Sequence, residues 1–99
     1  MTKQQEEMLT ALQDLAITTD ILIKGLSDND LDKAHEAVSI LLMQGMDYFG
    51  MESTAMQQFF PVWDAIKSHV DRSDVPRALG QARTWKTQLH EVISLVKQG

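Results

Sequence analysis

The side chains of this chain that could carry acid–base or metal chemistry are fourteen carboxylates and three histidines, and there is no cysteine. Disulfides and thiolate chemistry are therefore excluded, and a zinc site would have to be built from histidines and carboxylates alone. Asp28, Asp30 and Asp32 alternate as the first three ligands of an EF-hand loop do. The sixth position, where the sharp turn demands glycine, is Lys33, and the twelfth, where a bidentate glutamate closes the site, is Ser39. The three acids read instead as turn and capping residues.

A di-iron bundle needs a Glu-x-x-His element on two helices. Asp32 and His35 have that spacing once, with the shorter acid, while Ile66 and Thr87 stand three residues before His69 and His90. His35 near the start of a helix in a small acidic chain invites comparison with histidine phosphotransfer domains. Val38 and Ser39 occupy the places where their motif has lysine and glycine, so the likeness stops at size and class. No nucleophile signature stands out among the serines and threonines. The expectation is a protein that is not an enzyme and holds no cofactor or metal.

Those side chains must be positioned by helices. Hydrophobic content of 43% with 23% charged residues describes a globular chain, and 99 residues make a single domain. A net charge of -5 opposes a phosphate-binding surface, so nucleic acid is not an expected partner. The apolar runs are too short to span a bilayer, and the polar start MTKQQEEM lacks the pattern of a secretion signal, which makes the cytoplasm the expected location.

Met8, Leu12, Leu15, Thr19, Leu22 and Leu26 alternate at spacings of four and three, as one stripe of an amphipathic helix does. Thr19 is its polar member, tolerable because a helical threonine hydroxyl can bond the carbonyl one turn back. Gly25 and the run Ser27 to Asp30 supply a stop, a turn and a new cap. A second stripe follows with Leu31, Ala34, Val38, Leu41, Gly45 and Tyr48, closed by Gly50. Ser53, or Thr54 with Gln57, caps a third helix whose buried side is Phe59, Val62, Trp63, Ile66 and Val70. Pro61 falls inside that pattern and predicts a break or kink. After the turn from Asp71 to Asp74, Pro76 opens a fourth helix with the stripe Ala78, Ala82, Trp85, Leu89, Val92 and Val96. Residues 30–34 can also be laid over residues 74–78 at an offset of 44, a match that shared capping rules explain.

Short connections predict an all-α fold, an antiparallel four-helix bundle made of two helical hairpins. Within it, Ile17 and Ile21 lie roughly 160° from the middle of the first stripe, and Ile40 and Met43 lie opposite Val38. The first hairpin thus has two apolar faces and the second has one. These four residues are the expected self-association surface of a homodimer. The Met- and aromatic-rich stretch from Met43 to Trp63 offers a second candidate, in which Met51, Met56, Phe59 and Phe60 form a yielding groove for a protein partner. The function expected is a small helical adaptor or regulator that binds protein. The alternatives are phosphotransfer through His35 and a small-ligand cavity near Trp63 and Trp85.

Overall fold

A computed structural model describes all 99 residues: α1 (Lys3–Ser27), α2 (Leu31–Phe49), α3 (Thr54–Asp71) and α4 (Val75–Gln98), with no strand. Each helix packs on its two neighbours around a square, α1 against α2 and α4, and α3 likewise, while the diagonal pairs stay apart. The expected bundle of two antiparallel hairpins is formed. Its long axis measures 42 Å, close to the length that 25 residues span at about 1.5 Å per residue. Both chain ends lie at one end of it, where Gly99 sits beside the Gln5 side chain.

The helices begin where short polar side chains can bind free backbone N–H groups. Thr2 and Gln5 form a reciprocal capping box at 3.1 and 2.8 Å. Asp30 caps α2 by accepting from Lys33 N, Ser53 caps α3 by accepting from Met56 N, and Asp74 caps α4 by accepting from Arg77 N. Ser53 therefore takes the place that Thr54 shares with it in the sequence reading, since Thr54 is already the first helical residue.

Gly25 does not stop α1. It is buried one turn earlier, where a Cβ would meet Ala34 N at 3.2 Å and Lys33 Cβ at 3.3 Å, so its role is to let α2 start close against α1. The left-handed residue of that turn is Asn29, with φ 57°. Its counterpart in the second hairpin is Ser73, with φ 59°.

α3 passes through Pro61 without a break. Proline cannot bond the Gln57 carbonyl, but both residues are exposed, so water can reach the carbonyl that is left over. Burial of Met56, Phe59, Trp63, Ile66 and Val70 on the opposite side, about 1.5–3 kcal/mol each, outweighs a defect of about 3 kcal/mol. Val62 is only half-buried. On α4 the buried line runs Ala78, Ala82, Trp85, Leu89 and Ile93, while Val92 and Val96 sit at its margin.

The interior of the two hairpins repeats. Adding 44 to Leu12, Leu15, Thr19, Leu22 and Leu26 of α1 gives Met56, Phe59, Trp63, Ile66 and Val70, the buried residues of α3. Adding 44 to Ala34, Val38, Leu41 and Gly45 of α2 gives Ala78, Ala82, Trp85 and Leu89 of α4. The turns repeat bond for bond: Asp28 N to Lys24 O with Arg72 N to Ser68 O, Asn29 N to Leu26 O with Ser73 N to Val70 O, and Asp30 N to Gly25 O with Asp74 N to His69 O.

Around the middle of the bundle lies an aromatic cluster. Phe59 stands 5.7 Å from Trp63 and 5.0 Å from Trp85, and the two indoles meet edge to face at 5.3 Å and 87°. Trp63 fits because residue 45 has no side chain. A Cβ there would lie 2.7 Å from Trp63 Cη2, nearer still to Cζ3, and 2.8 Å from Met56 Sδ. Thr19 completes the cluster: its hydroxyl donates to Leu15 O at 2.7 Å and accepts from the Trp85 indole N–H at 2.9 Å. The Trp63 indole nitrogen is equally buried and finds no acceptor.

Gly45→Ala is expected to destabilise the fold by about 1–3 kcal/mol, because the buried Trp63 indole and the buried Met56 sulfur would both have to shift; denaturant titration measures it, and an unchanged midpoint would show the slot to be loose. Thr19→Val removes the acceptor for Trp85 and is expected to cost about 1–3 kcal/mol, with Thr19→Ser retaining the hydrogen bond and losing less. Thermal unfolding of the two variants side by side checks the order.

Candidate functional site

The four residues that the sequence places outward on the first hairpin are exposed. Ile17 and Met43 are each 62% exposed, Ile21 44% and Ile40 40%. The hydrogen bonds Thr18 Oγ1 to Gln44 Oε1 at 2.7 Å and Tyr48 Oη to Asp14 Oδ2 at 2.6 Å tie α1 to α2. In that antiparallel register Ile17 and Ile21 come within a turn of Met43 and Ile40, on the outward side of the same helix pair. The four residues therefore stand as exposed apolar pairs at matching heights on neighbouring helices.

Their equivalents in the second hairpin, 44 positions on, are Pro61, Ala65, Thr84 and Thr87. Two hairpins with one interior pattern thus carry unlike exteriors. Leu95, 67% exposed, is the large apolar residue that stands out on the second.

The second candidate surface does not hold together. Met56 is 1% exposed and Phe59 9%, so both belong to the core, while Met51 is 52% exposed and Phe60 half-buried. The reason is helical phase: once α3 starts at Thr54, Met56 and Phe59 share the inward side with Trp63. Four residues so divided cannot make a groove. A depression does exist nearby, between the start of α1 and the end of α2, lined by Gln4, Glu7, Met8, Ala11, Asp47, Tyr48 and Phe49. Neither Glu7 nor Asp47 carries a hydrophobic signal, so stripe-reading passes over them.

Several of the side chains singled out by their spacing have structural partners, whereas His69 Nδ1 is buried without one. His35 Nδ1 lies 3.2 Å from Asp71 Oδ1, and Lys67 Nζ lies 2.9 Å from the other oxygen, so one carboxylate joins α2 to α3. The Lys67 hydrogen bond, chiefly, holds the Asp71 carboxyl below its ordinary range. Asp28 pairs with Lys24 at 3.3 Å at the end of α1, and Asp30 caps α2. No group of three or more histidines and carboxylates is placed to hold a metal ion. The two tryptophans lie against one another and line none of the three main depressions. No helix is long and apolar enough to cross a membrane. Comparison with protein-family models, with curated proteins and with solved structures finds no match to the chain.

The hydrogen bond from Tyr48 to Asp14, followed by burial and the negative charge of Asp14 and Asp47, raises the phenol pKa above 10.0. A group whose folded pKa is raised contributes stability below its unfolded pKa and loses it as pH rises through the folded value, so this contribution fades only in alkali. Alkaline titration of Tyr48 absorbance is expected to lag free tyrosine, and Asp14→Asn to bring the midpoint back toward 10.0. A midpoint indifferent to that substitution would mean the bond is not formed in solution.

Proposed function

We propose that this chain is a small protein-interaction module, an adaptor or regulator in kind, and that the outer face of its first hairpin is the contact surface, occupied first by a second copy of the chain. The observation that carries this reading is the contrast between the hairpins. The fold builds an equivalent helix pair with Pro61, Ala65, Thr84 and Thr87 on the outside, so the folded bundle has no internal use for Ile17, Ile21, Ile40 and Met43. Exposed apolar side chains left in water cost free energy, and covering them on association returns about 25 cal/mol per Å². Such a face can pair with its own copy across a two-fold axis, each protomer contributing the same patch.

Light scattering over a range of concentrations tests the reading. The native chain is expected to approach twice its 11.2 kDa mass, and the variant Ile17→Lys/Ile21→Lys to remain a folded monomer. The triple variant Ile21→Ala/Ile40→Thr/Met43→Thr, which installs the residues of the second hairpin, is expected to behave in the same way. A native monomer at every concentration, or loss of folding in the triple variant, would overturn the proposal.

A further inference from the structure

A different surface carries a second binding property. The depression between the beginning of α1 and the end of α2 encloses about 510 Å³, and a second of about 440 Å³ adjoins it across Glu7, Ala11 and Tyr48, which line both. Each is of a size that holds a ligand fragment or a few side chains. Met8, Ala11 and Phe49 give the first lobe an apolar floor, and Met8 and Tyr48 remain 38% and 45% exposed. Tyr48 stands as the ridge between the lobes, fixed by its hydrogen bond to Asp14.

The rim is charged in one sense. Glu7 and Asp47 border the first lobe, and Glu6, Glu7 and Asp14 border the second, against the single ammonium of Lys3. Four carboxylates against one cation leave a local charge of -3, more than half of the -5 carried by the whole chain. None of Glu6, Glu7 or Asp47 has a salt-bridge partner, so their charge is available to an incoming cation. An apolar floor under an acidic rim matches the opposite pattern, apolar side chains flanked by lysine or arginine.

We propose that this two-lobed groove binds a basic amphipathic peptide segment, whose apolar side chains enter the lobe floored by Met8, Ala11 and Phe49 and whose cations meet Glu7 and Asp47. Helix-in-groove recognition of this kind needs a ridge and a floor that are already formed, and α1 and α2 supply both. The groove lies toward the open end of the first hairpin, and none of its lining residues belongs to the set of Ile17, Ile21, Ile40 and Met43.

The test is fluorescence anisotropy with a labelled 12-residue probe that carries leucine on one helical face and lysine on the other, titrated with the full chain. A second probe has glutamate in place of each lysine. Glu7→Gln/Asp47→Asn is expected to weaken binding of the lysine probe about fivefold or more, from the loss of two exposed ion pairs. The control Glu36→Gln/Glu91→Gln makes the same change in net charge away from the groove and is expected to bind as the native chain does. The glutamate probe is expected to bind at least about tenfold more weakly. Equal losses in the two double variants would mean that the lysine probe senses only overall acidity. Either that result, equal binding of the two probes, or no binding of the lysine probe at millimolar concentration overturns the proposal. Circular dichroism of each variant separates a lost site from a lost fold.

Discussion

The arrangement of the bundle depends on the insertion of Trp63 into the space where Gly45 has no side chain. Placing two indoles in the interior of a 99-residue helical chain fixes the distances between helices, because neither ring can be compressed and close packing leaves no room for slippage. Gly45 sets how near α2 approaches α3, and the Trp85 N–H bonded to Thr19 sets the height of α4 against α1. The surface pairs His35–Asp71 and Lys86–Asp20 then lie along contacts that the core has already determined. Exposed pairs of this sort contribute little stability by themselves.

A core repeated at an interval of 44 residues means that the two hairpins solve the same packing problem with different side chains. Where the first has Thr19, the second has Trp63; where the first has Leu41 and Gly45, the second has Trp85 and Leu89. Volume is exchanged across the centre, small residues on one hairpin facing large ones on the other, while polar capping and turn geometry stay the same. The exteriors are free of that exchange, and it is there that the first hairpin acquires its exposed apolar side chains and the acidic groove.

Much of this could be read from residue spacing. The stripes of α1 and α2, the caps at Asp30 and Asp74, and the outward position of Ile17, Ile21, Ile40 and Met43 all follow from a period of 3.6 residues. What spacing could not give was the consequence of a helix start. Met56 joins Phe59, which the third stripe already places on the buried side, once α3 runs unbroken from Thr54, and Pro61 is then carried on the wet side where its missing bond does least harm. Gly25 reads in sequence as a stop signal, yet it serves close approach between helices, a property of two segments that no single stretch displays. The groove was illegible for the same reason: Glu7 and Asp47 are forty residues apart and become neighbours only when α1 and α2 fold back on each other.

That Gly99 sits beside Gln5 gives the topology a further meaning. Four helices stand at the corners of the square, three of its sides are crossed by chain, and the fourth lies between α1 and α4. The bundle is in effect a ring with one cut. The segment from Gly50 to Ser53 crosses from one hairpin to the other along the side opposite that cut.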